Sequence, residues 1–118
     1  MQGTHLIGEF YNCQDSDYMN DVDALRDLCI AKVREAGLTI VGECFHQFDP
    51  AGVTGAVILA ESHLTIHTWP ENGYVTLDVF VCNYSMDNTG KAHQLYSELE
   101  KAFAPGKEDQ QVLQRGQG

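Results

Sequence analysis

Three strand-like segments follow one another in the middle of this chain, with only short turns between them. Residues 55–60 (GAVILA) are continuously apolar, whereas residues 63–69 (HLTIHTW) and 74–82 (YVTLDVFVC) alternate between apolar and polar side chains. Alternation with a period of two is typical of a strand that buries one face. Pro-Glu-Asn-Gly at 70–73 supplies turn residues between the last two segments. The pattern predicts three neighbouring strands.

Two helices are predicted, one on each side of this region. Asn20 or Asp21 could cap the first helix, and Gly37 would end it. Its apolar stripe consists of Val22, Leu25, Leu28, Cys29 and Ala36. The second helix is predicted over residues 88–104, before the helix-stopping pair Pro105-Gly106. Its apolar stripe consists of Ala92, Leu95, Tyr96, Leu99 and Phe103.

The remaining segments complete an α+β fold. Strands are predicted over residues 5–11 and 38–45, with a turn at 49–52 and a short last strand at 111–114. The expected architecture is a two-layer α/β sandwich, in which two helices cover one face of an antiparallel sheet. The other face would need polar residues or a partner. With 118 residues, the chain is expected to be a single domain, 1–118.

Charge narrows the class of partner. The chain has 17 acidic and 7 basic residues, which gives a formal net charge of -10. A nucleic-acid-binding protein needs a basic face, and few residues here could build one, so no nucleic-acid partner is expected. Acidity is compatible with a cationic small molecule but does not identify one.

Cysteine spacing and hydropathy indicate the cellular setting. Cys13, Cys29, Cys44 and Cys82 are widely and irregularly spaced, which argues against a zinc module or a disulfide framework and predicts free thiols. No apolar run approaches the ~20 residues that cross a bilayer, and the first residues do not resemble a secretory signal. We therefore expect a cytoplasmic protein without a membrane partner.

The two histidines of the central segment could suggest a metal site. His63 and His67 are four residues apart, a spacing that binds one metal on a helix. On a strand the same spacing separates them by roughly 13 Å, so no metal site is expected. Ser62 lacks the flanking glycines of a hydrolase nucleophile elbow. From spacing alone, these polar residues could simply face solvent on a half-buried strand.

A longer set of matches gives the segment a specific meaning. FHQF at 45–48, Pro50, GVTG at 52–55, ESHLTIHTWPE at 61–71 with Gly73-Tyr74, and DVFVC at 78–82 stand here in order. This pattern strongly resembles the short prokaryotic S-adenosylmethionine decarboxylase proenzymes, and the likeness extends over about residues 5–104. The resemblance implies a small α/β sandwich in which two protomers assemble around paired active sites.

The resemblance also implies a self-made cofactor. Ser62 would attack the carbonyl carbon of Glu61, and elimination would then cut the chain into 1–61 (the beta chain) and 62–118 (the alpha chain). Residue 62 would become a pyruvoyl group. His67 matches the family residue that transfers a proton during processing. Thr54 stands where many relatives have a serine that is thought to assist processing.

In turnover, the resemblance implies that the pyruvoyl ketone forms a Schiff base with the substrate amine and accepts electrons as carbon dioxide leaves. Cys82 matches the family proton donor, and a thiol with an ordinary pKa of ~8.5 is suited to that task. Phe48, Trp69 and Glu71 match residues on the substrate side. The implied product is the aminopropyl donor for spermidine synthesis.

Some positions depart from the family pattern and leave alternatives open. Asp49 follows Phe48 where relatives have an apolar residue, and it could bind the distal cation of another substrate. A pyruvoyl-dependent ornithine or arginine decarboxylase of the same superfamily is therefore the second hypothesis. Asn83 follows Cys82 where relatives usually have glycine. A non-catalytic regulatory homologue is the third hypothesis, although the intact set of Ser62, His67 and Cys82 argues against it.

Overall fold

The computed structural model describes residues 1–84 and 86–117 as an antiparallel sheet with two helices packed on one of its faces. The six strands are β1 (Gln2–Tyr11), β2 (Ile40–Gln47), β3 (Val53–Leu59), β4 (Ser62–Trp69), β5 (Tyr74–Cys82) and β6 (Lys107–Gly116). The helices are α1 (Val22–Glu35) and α2 (Thr89–Phe103), with short 3-10 turns at Asp17–Met19 and Pro70–Asn72. Along the sheet the order is β2-β3-β4-β5-β1-β6. The predicted α+β sandwich is confirmed.

The central strands form as the alternation predicts. β3, β4 and β5 pair with one another in sequence order, and β5 has the predicted bounds. On β5, the alternating apolar residues are all fully buried against the helices: Val75, Leu77, Val79 and Val81. β1 and β2 also form, with bounds that differ from the predicted ones by a few residues.

β6 is much longer than the short strand predicted at 111–114. It pairs with β1 along its whole length, from Gln2 opposite Gly116 to Tyr11 opposite Lys107. Most of its side chains are exposed. Backbone hydrogen bonds to β1, rather than apolar burial, therefore hold this strand, and hydropathy does not reveal it.

The helices contribute one apolar face each to the core. The predicted stripe of α2 is confirmed, because all five of its residues are buried. In α1, Leu25, Cys29 and Ala36 are buried as predicted, whereas Val22 and Leu28 are only partly buried. Val33, which the predicted stripe omitted, is fully buried because it follows Leu25 and Cys29 at helical spacing.

The ends of α1 have the expected chemistry. The Asp21 carboxylate caps the helix by accepting hydrogen bonds from the backbone N–H groups of Asp23 (3.0 Å) and Ala24 (3.2 Å). Gly37 follows the last turn with φ +80°, a conformation that glycine adopts without steric cost. Of the two predicted caps, Asp21 is correct.

The face of the sheet opposite the helices, which we call the outer face, is polar and aromatic. His5 Nε2 lies 3.2 Å from Asp78 Oδ2, and the ring of His5 lies 6.1 Å from that of His63. Arg115 Cζ lies 4.7 Å from the centre of the Phe80 ring. Partial burial and the neighbouring His5 lower the pKa of His63, which favours its neutral form.

A hydrogen-bonded group ties α2 to the β6 edge of the sheet. The Tyr96 hydroxyl donates to the carboxylate of Glu108, and Glu100 lies beside the same carboxylate. Hydrogen bonding with Glu108, together with partial burial, raises the pKa of Glu100 from 4.5 to about 7, while Lys101 opposes the rise. The Glu100 carboxyl group therefore keeps its proton to a higher pH than an exposed glutamate does.

The raised pKa of Glu100 predicts a pH dependence of stability. A carboxyl group whose pKa is raised on folding stabilises the fold below its unfolded pKa, and the benefit is lost as pH rises through the folded value. Between pH 4.5 and about 7, Glu100→Gln should therefore weaken the decline in the free energy of unfolding with rising pH. Urea unfolding at several pH values measures this slope. Glu98→Gln, on the same helix, is the control and should keep the wild-type slope. Equal slopes for wild type and Glu100→Gln would contradict the assignment.

Candidate active site

The residues singled out in the sequence gather in two places, at opposite ends of β4. Ser62 begins the strand, and His67 lies near its other end. At ~3.3 Å per residue their Cα atoms are about 16 Å apart. Each end of β4 therefore has its own set of neighbours.

The first place is a cleft of about 320 Å³, which we call the Ser62 cleft. It lies where the turn between β3 and β4 meets the end of β5 and the start of α2. Its lining includes Gly37, Leu38, Thr39, Leu59, Ala60, Glu61, Ser62, Cys82, Tyr84, Met86, Asn88 and Lys91. Three of the predicted catalytic residues, Glu61, Ser62 and Cys82, are brought together here.

The turn that presents Ser62 is strained at one position. Leu59 pairs with Ser62 across the turn, and the Ala60 N–H donates to the Thr39 carbonyl at 3.1 Å. Glu61 has φ +60°, in the left-handed region that costs a residue with a side chain roughly 1–2 kcal/mol. The strain lies in the residue whose peptide bond to Ser62 is the predicted cleavage site.

The hydroxyl of Ser62 is held by backbone groups. It accepts a hydrogen bond from the Cys82 N–H at 3.1 Å and donates to the Ala60 carbonyl at 3.3 Å. The side chain of Cys82, at the end of β5, is only 5% exposed. The strand pairing thus brings a hydroxyl and a thiol to one cleft.

The loop after Cys82 is fixed by two asparagines that the sequence did not single out as functional. Asn88 Nδ2 donates to the Cys82 carbonyl at 2.8 Å, and the Asn83 side-chain oxygen accepts from the Asn88 N–H at 2.7 Å. The Asn83 N–H donates to the Gln2 carbonyl at 2.7 Å. The departure from glycine at position 83 therefore supplies a side chain that orders the loop behind Cys82.

The second place is a pocket of about 350 Å³ near the other end of β4, which we call the Trp69 pocket. Its lining consists of Phe48, Ala51, Thr54, His67, Thr68, Trp69 and Glu71. Five of the predicted residues are brought together here. Asp49 is exposed and is absent from the described lining of this pocket, although it follows Phe48 in the chain.

Thr54 and His67 form a pair across the strands β3 and β4. Thr54 Oγ1 lies 3.0 Å from His67 Nδ1, and the two residues are direct partners in the sheet register. A hydrogen bond at Nδ1 leaves Nε2 available for proton transfer to another group. The methyl group that distinguishes threonine from serine does not prevent this contact.

Aromatic side chains border the same pocket. Phe48 and Trp69 are 47% and 38% exposed, so each could still bury a large apolar surface against a ligand. The Trp69 ring lies 6.0 Å from His67 and 5.2 Å from Tyr74, while Phe48 contacts His46 at 4.6 Å. Two partly exposed aromatic rings and the carboxylate of Glu71 suit a flat, cationic ligand.

The loop that carries Phe48 is held by polar residues that hydropathy could not identify. Asn20, one of the two predicted helix caps, instead accepts hydrogen bonds from the Gly52 N–H at 2.8 Å and from Gln47 Nε2 at 3.3 Å. The Phe48 N–H donates to the Gly52 carbonyl at 2.8 Å. The only sequence signal for this arrangement was the turn composition of 49–52.

Within residues 1–84 and 86–117, no three histidine, cysteine or acidic side chains are grouped so as to bind a metal ion. In the same residues, neither helix has the length and apolar character required to span a bilayer.

Comparison with known proteins identifies the family. Residues 4–116 match the family described as S-adenosylmethionine decarboxylase. An S-adenosylmethionine decarboxylase proenzyme of Acidithiobacillus ferrooxidans is 42% identical over 115 residues, which cover 98% of this chain and 83% of that protein. The Thermotoga petrophila proenzyme is 46% identical over 101 residues, covering 86% and 74% of the two chains.

Solved structures agree. The crystal structure of the adenosylmethionine decarboxylase from Aquifex aeolicus has a TM-score of 0.89 and 35% identity, covering 98% of this chain and 92% of that one. A Trypanosoma brucei AdoMetDC monomer, at 16% identity and a TM-score of 0.66, shares the fold. The two-layer α+β architecture is thus one found in decarboxylases. This chain belongs to the S-adenosylmethionine decarboxylase family.

Thr68 lines the Trp69 pocket and is buried, and its substitution should lower the stability of the fold. Its buried hydroxyl accepts from the Val53 N–H at 2.9 Å and donates to the Met19 carbonyl at 2.8 Å. Thr68→Val keeps the shape but leaves these groups without a partner, which should lower the free energy of unfolding by about 1–3 kcal/mol. Denaturant unfolding measures the loss. The matched control is Thr65→Val on the outer face, and an equal loss there would contradict the prediction.

Proposed function

We propose that this protein is a pyruvoyl-dependent S-adenosylmethionine decarboxylase that activates itself by cleavage between Glu61 and Ser62. The observation that carries the proposal is the hydroxyl of Ser62, held at a strained turn beside the buried Cys82 in a chain of this family. Matched relatives are named proenzymes, which fits an inactive precursor. Its product would supply aminopropyl groups for spermidine synthesis, in keeping with the expected cytoplasmic location.

Cleavage requires a hydroxyl on the β-carbon of residue 62. Ser62 Oγ attacks the carbonyl carbon of Glu61, so that a C–O bond forms, the C–N bond breaks and an ester replaces the peptide. Loss of the α-proton of residue 62 then breaks its Cβ–O bond and releases the Glu61 carboxylate. The double bond left between Cα and Cβ takes up a proton at Cβ, and water then replaces the nitrogen of residue 62, which leaves as ammonia, so that the chain ends as 1–61 and 62–118. The positive φ of Glu61 favours this direction, because cutting the turn relieves its strain.

A pyruvoyl group at position 62 supplies a ketone that condenses with an amine and withdraws electrons as carbon dioxide leaves. The surroundings of Ser62 fit such a group, because the Cys82 N–H beside it can donate to an oxygen of residue 62 and the cleft is open to a ligand. Cys82 borders the same cleft, and its thiol would return a proton to the substrate α-carbon.

The complete site requires a second copy of the chain. Within one chain, His67 is too far from Ser62 to serve it, so we assign the Trp69 pocket of one protomer to the Ser62 cleft of its partner. A two-fold dimer that packs the outer faces with reversed strand directions would bring the two ends of β4 together. It would also cover the half-buried His63 and Phe80. A homodimer thus accounts for both separated clusters.

S-adenosylmethionine suits the Trp69 pocket better than a basic amino acid does. Adenine could stack on Phe48 or Trp69, and the sulfonium could face an aromatic ring. The Glu71 carboxylate could accept hydrogen bonds from the ribose hydroxyls. Ornithine or arginine would need a carboxylate at the far end of the pocket, and Asp49 is absent from its described lining.

Self-processing predicts two fragments. Purified wild-type protein should give masses for residues 1–61 and for a chain that starts at position 62 and is blocked to N-terminal sequencing. Ser62→Ala should remain one chain of 118 residues, because it lacks the attacking oxygen. A folded wild-type protein that remains intact under all conditions would remove the pyruvoyl proposal and favour the non-catalytic homologue.

Processing between protomers can be tested in the same assay by mixing variants. His67→Ala alone should cleave ~10²–10⁴-fold more slowly, and Ser62→Ala alone should not cleave. When the two are coexpressed with different tags, the His67→Ala chain should be cut at a near-normal rate, because its Ser62 meets the intact His67 of the other copy. If mixed dimers form and that chain stays intact, the shared site is wrong.

Turnover should depend on Cys82 separately from processing. Cys82→Ala should still be cleaved, but it should release carbon dioxide from S-adenosylmethionine ~10²–10⁴-fold more slowly or divert the product. Ornithine and arginine are assayed in parallel as substrates. Asp49→Asn should change the rate of carbon dioxide release from S-adenosylmethionine only slightly. Turnover of either amino acid with none of S-adenosylmethionine would overturn the substrate assignment. Unchanged turnover in Cys82→Ala would remove the thiol from the reaction.

A further inference from the structure

Lys91 is the one cationic side chain among the described residues that line the Ser62 cleft. Its Nζ donates to the Gly37 carbonyl at 3.3 Å and lies 3.6 Å from Met86 Sδ. The ammonium group has three N–H donors, so these contacts leave capacity for another acceptor. Within residues 1–84 and 86–117, no ion pair includes Lys91.

The position of Lys91 is unfavourable for the helix that carries it. Lys91 lies in the first turn of α2, which contains no acidic residue. Positive charge near a helix N-terminus is repelled by the helix dipole. The Gly37 carbonyl offsets part of this repulsion. A lysine at this place is better explained by an anion that the cleft acquires than by the stability of α2.

The segment that Lys91 contacts also holds the cleavage turn. Gly37 is two residues before Thr39, whose carbonyl accepts a hydrogen bond from the Ala60 N–H at 3.1 Å. Lys91 therefore lies beside the strand connection that fixes the Ala60–Glu61 turn. Glu61 is the one acidic residue among the described lining of the cleft.

We infer that Lys91 binds the α-carboxylate of Glu61 that processing creates. The inference rests on the proposed self-cleavage. When the Cβ–O bond of residue 62 breaks, its electron pair remains on the departing oxygen, and a new negative charge appears in a partly enclosed cleft. Lys91 stabilises this leaving group as it forms and then holds the new chain end away from the ketone. An ammonium–carboxylate hydrogen bond is suited to both tasks.

A carbon-13 titration can observe this contact directly. Protein labelled with [1-13C]glutamate carries the label in backbone carbonyls, and after cleavage Glu61 is the one labelled residue with a free α-carboxylate. In wild type and Lys91→Arg, this carboxylate should titrate below the ordinary C-terminal range of about 3.3–3.7. In Lys91→Gln, which keeps a donor for the Gly37 carbonyl but loses the charge, its pKa should return to that range.

Substitutions of Lys91 and a control substitution at Lys101 test the assignment. Lys101 lies on the same helix and pairs with Glu98 at 3.8 Å. In Lys101→Met, the Glu61 α-carboxylate should have the same pKa as in wild type. If the Glu61 α-carboxylate has the same pKa in Lys91→Gln as in wild type, the assignment of Lys91 is overturned while self-cleavage stands. If Lys91→Gln and Lys91→Met fold but stay intact while Lys91→Arg is cleaved, the charge is needed for bond breaking, which supports the assignment. Failure of folded Lys91→Arg to cleave would contradict it.

A failure of self-cleavage can be distinguished from a failure of the Lys91 assignment alone. Mass spectrometry of wild-type protein would then show one intact chain and no titrating labelled signal, so that the proposed function and the role of Lys91 would fall together. Cleaved wild-type protein whose new carboxylate titrates in the ordinary range would overturn the role of Lys91 alone.

Discussion

Backbone pairing of β4 with β3 and β5 is the constraint on which the rest of the molecule depends. The register sets Thr54 opposite His67 and His63 opposite Phe80, and it brings the start of β4 to the end of β5, where Ser62 accepts the Cys82 N–H. Because side chains alternate between faces, a shift of one residue would direct every polar group of β4 into the core and every apolar group outward. The buried Leu64 and Ile66 oppose such a shift, so the hydrophobic core also fixes the geometry of both clusters.

The parts of the fold that the sequence predicted well are those in which burial is periodic. β5 buries alternate residues, and α2 buries one helical stripe, so both produce a repeating signal that short windows reveal. The family resemblance supplied what periodicity could not, namely the expectation that Ser62, His67 and Cys82 belong to one chemistry. It did not indicate that a single chain separates Ser62 from His67, because a match along the sequence carries no information about which copy supplies each group.

The parts that the sequence did not predict are held by hydrogen bonds without a repeating pattern. β6 depends on its backbone pairing with β1, and Asn20 supports the Phe48 loop through a contact distant in sequence. Asn88 fixes the Cys82 carbonyl in the same way, and Thr68 joins two segments inside the core. Each of these polar residues has several possible partners, and only the assembled sheet selects one.

The strand order has a consequence for what a cut between residues 61 and 62 would leave. β1, β2 and β3 would belong to one fragment and β4, β5 and β6 to the other, yet the order along the sheet is β2-β3-β4-β5-β1-β6. The fragments would interlock, because β1 lies between β5 and β6 while β4 stays paired with β3. Neither could leave without unpairing strands at three places in the sheet. Refolding would require two pieces to meet, so the cut protein would persist through slow unfolding rather than through its ability to refold.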